Sequence, residues 1–149
     1  LVEGQSAISH PAFLSSIGIL KGSMPDAVIL QHPPARKFRC DFPTLTMPTP
    51  ESEIELIETI SKTKVIAITL SHEGLNEQEI LETIENYELQ LRLPTTDVLS
   101  SGCQKLVRTL SDQFPALRNK IKPENLTFFS DHLSHKLNSL EGIDEIVHT

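Results

Sequence analysis

The sequence is poor in the residues that mark several protein classes. It has no tryptophan, one tyrosine and two cysteines among its 149 residues. A chain with so few aromatic side chains offers no surface on which the bases of a single strand could stack. Cys40 and Cys103 are far apart in sequence, so they form neither a disulfide framework nor a Cys-x-x-Cys metal pair. This cysteine usage is typical of the reducing cytoplasm, where we expect the protein to act.

Basic charge and long apolar runs are also scarce. Lys and Arg number 13 against 20 Asp and Glu, which gives a formal charge of −7. The densest basic stretch, Arg36 to Arg39, carries only three positive charges, too few for a phosphate-backbone binder. No apolar run approaches the roughly 20 residues that span a bilayer, and no signal peptide opens the chain. We therefore expect neither a nucleic-acid partner nor a membrane.

Two well-known catalytic motifs are missing as well. Neither the phosphate loop Gly-x-x-x-x-Gly-Lys-Ser/Thr nor the nucleophile elbow Gly-x-Ser-x-Gly occurs. The first residue is not Met, and Leu1-Val2 has the character of the end of a buried strand. We expect the chain to be a C-terminal piece of a longer protein; a processed or truncated form is the alternative.

The residues that are present alternate between strand and helix patterns. Ala27–Leu30 and Lys64–Leu70 are continuous apolar or β-branched runs, which predict strands buried on both faces of a sheet. Pro94–Leu99 predicts a short third strand, and the proline-rich stretch Gln31–Pro50 predicts an ordered loop. Helix signals lie between and after these segments. The predicted helices start at Ser9 with His10-Pro11, at Thr49 with Pro50 and at the capping box Asn76/Glu79, with two more around Leu106–Leu110 and over Asp131–Leu140.

This alternation predicts an α/β domain, a mostly parallel sheet with helices on both faces. We place the domain at residues 1–112 and a partly helical C-terminal extension at residues 113–149. Ligands of such sheets bind beyond the carboxyl ends of the strands. This rule selects four rim segments: Glu3–His10, Gln31–Arg36, Ser71–Gly74 and Asp97–Gly102.

The first rim segment carries a candidate metal site. Glu3 at a strand end, followed by Gly4, can hold hydrated Mg²⁺ beside a phosphate, and Gln5 and Ser6 can donate to an anion. A turn whose glutamate faces solvent is the alternative. His10 is a further candidate for substrate binding, with helix capping or packing as its alternative role.

The other rim segments carry candidate acid, base and carboxylate-binding groups. His32 could act as a general base or as a hydrogen-bond donor. Arg36 has the fork geometry that binds a carboxylate or phosphate. The alternative for both is a proline-stiffened surface loop. Asp97 could bind a ligand or satisfy backbone amides in a tight turn.

Together these motifs resemble the C-terminal domain of the DgcN-like family, long described as a domain of unknown function. The resemblance runs in order over roughly residues 1–112. The matching segments are Leu1–Ser6 with Ser9–Pro11, Gly22–Ala27, His32-Pro33 with Arg36, and Leu93–Asp97 with Gly102 and Lys105-Leu106.

Members of that family resemble two-domain proteins, in which a Rossmann-like domain precedes a P-loop-NTPase-like domain similar to dethiobiotin synthetase. The resemblance implies a three-layer domain that lacks its N-terminal strands and phosphate loop in this piece. It also implies acetyl transfer from acetyl-CoA to D-glutamate in D-amino-acid metabolism, with the missing Rossmann-like domain and a homo-oligomer as partners. Glu3 carries over to the acidic strand-end position that helps hold Mg²⁺. The other motif residues that carry over are Ser6, His10, His32, Arg36 and Asp97.

Two positions depart from the patterns of related proteins. Ser71 stands where related ATP-binding folds often carry an Asn that reads the base, and Ser100 where many family members carry Arg. Three functions therefore stay open: an N-acyltransferase for an acidic D-amino acid, an ATP-dependent ligase or kinase-like protein that needs Mg²⁺, and a non-catalytic structural module. In the first, Arg36 would bind a carboxylate or phosphate, and the catalytic candidates His32 or Glu3 would help deprotonate the amine or position Mg²⁺.

Overall fold

The computed structural model describes residues 1–4 and 6–120. The described residues up to Val98 form one compact unit, and residues 99–120 belong to a second unit. The elements are α1 (Ser15–Ser23), β1 (Val28–His32), β2 (Phe38–Arg39), β3 (Phe42–Thr46), α2 (Pro50–Ser61), β4 (Val65–Leu70), α3 (Glu77–Leu91), β5 (Thr95–Thr96), α4 (Val98–Ser101), α5 (Gln104–Gln113) and a 3₁₀ helix (Pro115–Lys120).

A parallel sheet of three strands organises the first unit. Its order is β1–β4–β5, so β4 is the central strand. All residues of β4 except Thr69 are buried, which explains why its sequence is a continuous apolar run. His32 of β1 pairs with Leu70 of β4, and Thr69 pairs with Thr96 of β5. The carboxyl ends of the three strands therefore lie side by side along one edge.

Two hydrophobic clusters attach the helices to this sheet. The first joins α1 and α2 to β4, the second joins α3 to β4, and Ile54 and Leu93 pack against both. Burial of each large aliphatic side chain contributes roughly 1.5–3 kcal/mol. The buried members are Ile8, Leu20, Ile57 and Val65 in the first cluster, and Ile68, Leu70, Ile80 and Ile84 in the second.

The predicted starts of α2 and α3 are confirmed. The Thr49 side chain accepts a hydrogen bond from the Ser52 amide at 3.3 Å, and Pro50 opens α2. At α3, Asn76 Oδ1 accepts from the Glu79 amide at 3.0 Å, and the Glu79 carboxylate accepts from the Asn76 amide at 2.8 Å. This capping box satisfies two of the amides that every helix start leaves without a partner.

The predicted start of the first helix is wrong by five residues. Helix α1 begins at Ser15, and Ser9 does not cap it. The Ser9 hydroxyl instead donates to Glu53 and accepts from Arg39 Nη2 at 2.7 Å. Because its oxygen and proton are used in these long-range contacts, no local cap forms at Ser9.

One loop prediction and two strand predictions also differ from the structure. The middle of Gln31–Pro50 is an antiparallel β2–β3 hairpin, which tolerates Pro43 because each strand of a two-stranded ribbon has a free edge. Leu1-Val2 is exposed and does not pair with any described strand. The third strand is limited to Thr95–Thr96, and Val98–Ser101 turns into helix α4.

The structure confirms the fold class, an α/β fold with a parallel sheet flanked by helices. The domain boundary after residue 112 stays a prediction. The helix expected over Asp131–Leu140 lies outside the described residues. Within the described part of the chain, no helix has the length and apolarity needed to cross a membrane.

Candidate active site at the carboxyl edge of the sheet

The carboxyl edge of the sheet brings an aspartate and a histidine from two strands together. Asp97 follows β5 and is fully buried, whereas the His72 side chain follows β4 and is 38% exposed. His72 Nδ1 lies 2.5 Å from Asp97 Oδ2. Because a carboxylate accepts only, Nδ1 carries the proton and Nε2 keeps a free lone pair in the neutral ring. No described residue hydrogen-bonds to Nε2, and the side chain is partly exposed, so Nε2 is available as a base.

An ion pair joins the two loops beside this dyad. Arg36, in the loop after β1, binds the Glu73 carboxylate in the loop after β4. The Glu73 hydrogen bond raises the pKa of the Arg36 guanidinium. The side chains are 32% and 63% exposed, respectively, so a ligand in solution can reach both. Arg36 thus lies on the loop next to the one that carries His72, and its binding of a carboxylate or phosphate stays a prediction.

The second rim histidine has a closed environment. His32 Nε2 lies 3.2 Å from the Pro48 carbonyl oxygen, and its Nδ1 lies 2.9 Å from the Tyr87 hydroxyl. Since a carbonyl accepts only, Nε2 donates to Pro48 and Nδ1 accepts from Tyr87. Burial lowers the pKa of His32, against smaller opposing effects of Pro48, Glu51 and Glu53. The ring is neutral, and both of its nitrogens are engaged.

The Tyr87 hydroxyl is a stable donor in this pair. Burial, with a smaller effect of Glu51, raises the pKa of Tyr87 to about 12. The phenol therefore keeps its proton throughout the physiological range. The pair links the end of β1 to α3, and the Pro48 bond links it to the segment before α2.

The candidates in the first rim segment lie in an ordered loop with internal contacts. The Ser6 hydroxyl donates to the Phe13 carbonyl at 3.0 Å, and the Ser6 carbonyl accepts from the Ser16 hydroxyl at 2.6 Å. His10 is buried, its Nδ1 accepts from the Ala12 amide at 3.2 Å, and its ring packs 4.7 Å from that of Phe13. These contacts shape the loop, and substrate binding by Ser6 and His10 stays a prediction.

A buried polar cluster lies between this loop, the hairpin and α2. Ser9 bridges Arg39 and Glu53, which are 9% and 3% exposed. Arg39 Nη1 and Glu53 Oε2 are buried without a hydrogen-bond partner among the described residues. Each charged group is thus bonded to Ser9 through one atom and has a second buried atom whose desolvation no described hydrogen bond offsets.

The metal hypothesis has no further support from the described residues. Glu3 is exposed, and Gln5 lies outside the described residues. Among residues 1–4 and 6–120, no group of three or more His, Cys, Asp or Glu side chains is placed to hold a metal ion. Glu3 as a ligand of Mg²⁺ therefore stays a prediction.

The sequence predicts Ser71–Gly74 on the rim but assigns no catalytic or binding role to His72, Glu73 or Tyr87. A signal for His72 is present, because a histidine and an aspartate follow strands that the alternation makes neighbours. The helical spacing places Tyr87 on the inner face of α3, as the structure confirms, but no signal points to its contact with His32, 55 positions away in sequence.

Comparison with known proteins identifies the family of this chain. Residues 1–107 match the model described as "Domain of unknown function (DUF1611_C) P-loop domain". A DUF1611 family protein from Anabaena variabilis, known from a crystal structure, is 26% identical and superposes with a TM-score of 0.69. The match covers 74% of this chain and 34% of that one.

Two curated relatives carry an activity in their names. Both are named D-glutamate N-acetyltransferase, one from a Pseudoalteromonas species at 29% identity and one from Tritonibacter scottomollicae at 27%. Each match covers 74% of this chain and 35% of the relative. The chain thus spans about a third of the length of the curated relatives it matches.

Proposed function

Because this chain belongs to the DUF1611 family, whose C-terminal P-loop domain it matches, we propose that it is part of an N-acetyltransferase for an acidic amino acid. The proposed reaction transfers the acetyl group of acetyl-CoA to the amine of D-glutamate. The names of the curated relatives support the reaction type. The observation that carries the proposal is the Asp97–His72 pair, since amine acylation needs a base.

The proposed chemistry follows from the geometry of this pair. His72 Nε2 accepts a proton from the substrate amine while the nitrogen forms a C–N bond with the thioester carbonyl carbon. The C–S bond then breaks, and the proton passes from His72 to the leaving sulfur. Asp97, buried and bonded to Nδ1, keeps the ring in the required tautomer and stabilises the imidazolium. Asp97 is thus a positioning residue in this proposal, and His72 is the catalytic base.

Arg36 supplies the recognition of an acidic substrate in this proposal. Its guanidinium lies on the loop next to the dyad and already binds one carboxylate, that of Glu73. Planar guanidinium groups match carboxylates with two parallel hydrogen bonds. His32 takes a supporting role, because its two ring nitrogens hold Tyr87 and Pro48. Acetyl-CoA as co-substrate, a Rossmann-like N-terminal domain and a homo-oligomer are parts of the same proposal.

The test measures acetyl transfer by the full-length protein that carries this sequence. Acetyl-CoA and D-glutamate are supplied, and release of free thiol is followed. The variant His72→Asn is chosen because the Asn amide keeps a donor near the position of Nδ1 while the base is lost. We expect its kcat to fall by about 10²–10⁴-fold, the usual contribution of a general base.

The matched control is Asn86→Ala, which removes an exposed polar side chain from α3 far from the base in sequence. We expect it to keep wild-type activity. Unchanged activity of His72→Asn would overturn the proposed base. A thermal shift with Mg-ATP and none with acetyl-CoA would favour the ligase or kinase-like function instead, since a bound ligand raises the melting temperature.

A further inference from the structure

Glu73 forms an ion pair with Arg36, the cation that the carboxylate of the proposed substrate needs. The Arg36–Glu73 pair lies on the surface and joins two loops rather than two core elements. Exposed ion pairs of this kind contribute little to stability, so a competing carboxylate can replace one at small cost. The carboxylate that Arg36 now binds is thus in the position of an internal competitor.

The backbone holds Arg36 and Glu73 in separate turns. The Arg36 amide donates to the Pro33 carbonyl at 3.2 Å, which closes a turn after β1. The Leu75 amide donates to the His72 carbonyl at 2.9 Å, which closes another turn around Glu73. Each turn is closed by its own hydrogen bond, so release of Glu73 from Arg36 breaks neither turn.

The two turns also touch each other. The Ser71 amide donates to the His32 carbonyl at 2.9 Å, and Gly74, with φ of +77°, lies so close that a Cβ at its position would be 3.6 Å from the Ala35 Cβ. This contact fixes Arg36 close to the loop that carries the His72 base. A carboxylate exchanged onto Arg36 would therefore lie at the rim beside the base.

We infer that Glu73 is a specificity-determining residue that competes with the side-chain carboxylate of an acidic substrate for Arg36. This inference rests on the proposed function and names the subsite that selects its substrate. The competition sets a threshold: a neutral side chain does not displace Glu73, whereas a carboxylate does. Glu73 therefore lowers the affinity for acidic ligands but keeps Arg36 satisfied when none is bound.

The test is equilibrium binding to the full-length protein, without acetyl-CoA, by calorimetry. The probes are D-glutamate, its neutral isostere D-glutamine, and glutarate, which has carboxylates and no amine. In the variant Glu73→Gln, we expect D-glutamate and glutarate to bind about two- to five-fold tighter, the factor that corresponds to an exposed ion pair. Binding of D-glutamine should stay unchanged.

Two further variants complete the cycle. Arg36→Gln should remove the preference for D-glutamate over D-glutamine, and Glu73→Gln in that background should have no further effect. Glu85→Gln is the matched control, because it removes an exposed carboxylate on α3 and leaves the rim intact. All are surface changes, for which stability stays within about 0.5 kcal/mol.

The outcomes separate this inference from the proposed function. Unchanged or weaker binding of both carboxylate probes to Glu73→Gln would overturn the inference, and so would the absence of binding to both wild type and variant. Acetyl transfer that depends on His72 would stand in either case. Loss of the proposed reaction with tighter glutarate binding in Glu73→Gln would leave a carboxylate site without the proposed chemistry.

Discussion

Two histidines follow neighbouring strands of one sheet, and the fold places them in opposite environments. His32, after β1, is buried and uses both ring nitrogens on Pro48 and Tyr87. His72, after β4, uses one nitrogen on Asp97 and presents the other at the surface. A base must be reachable and must have a free lone pair. A position at a strand end thus selects candidate bases, whereas the hydrogen bonds of the two ring nitrogens decide which histidine can act as one.

The largest expected difference between the two histidines is in catalysis. His32→Gln keeps a donor near Nε2 for the Pro48 carbonyl and loses only the acceptor for Tyr87. We expect this variant to retain acetyl transfer within about five-fold of wild type when folded, whereas a lost base costs about 10²–10⁴-fold. The ratio of kcat for His32→Gln to kcat for His72→Asn is the measurement. A ratio near or below unity would reverse the assignment of the two residues.

A second comparison concerns stability, in which the buried histidine should matter more. Tyr87→Phe removes the donor to His32 Nδ1 and leaves a buried acceptor without its partner. We expect a loss of about 1–3 kcal/mol in the free energy of unfolding, measured by urea denaturation. Thr83→Val is the control on the same helix, because it also removes a hydroxyl donor, but one whose hydrogen bond to the Glu79 carbonyl lies at the surface. An equal effect of the two variants would show that the His32–Tyr87 bond contributes nothing specific.

Some features of the fold follow from local sequence patterns, whereas others depend on contacts between residues far apart in sequence. Local signals were sufficient for the capping box at Asn76 and for the buried strand β4, because both depend on neighbouring residues. Long-range contacts were not available from local patterns. The sequence predicts that Ser9 caps a helix, but its hydroxyl donates a hydrogen bond to Glu53, 44 positions away. The pattern of apolar residues carries no information on such a pair.

The candidate site divides in the same way. The rule that ligands bind at the carboxyl ends of strands selected Arg36 and Asp97 correctly as residues of the edge. Their partners, Glu73 and His72, depend on the register of β4 against its neighbours, which the sequence does not state. The contrast between His32 and His72 depends on Tyr87, whose side chain reaches the sheet from the last turns of α3.

The smallest expected effect is the pH dependence of stability that His32 contributes through its protonation. Burial lowers the pKa of His32 in the folded state, whereas in the unfolded chain a histidine titrates near 6.5. The contribution of neutral His32 to the free energy of unfolding is therefore complete above about pH 6.5. It is lost as the pH falls through the lowered folded pKa, because the unfolded state takes up the proton first. The loss is at most about 1.4 kcal/mol per pH unit for one group. We expect wild type to show this acid slope between pH 7 and 5, and His32→Gln to lack it. Equal slopes in wild type and His32→Gln would contradict the assignment, since Tyr87, with a pKa near 12, keeps its proton across that range and the His32 ring is the group of the pair that changes charge.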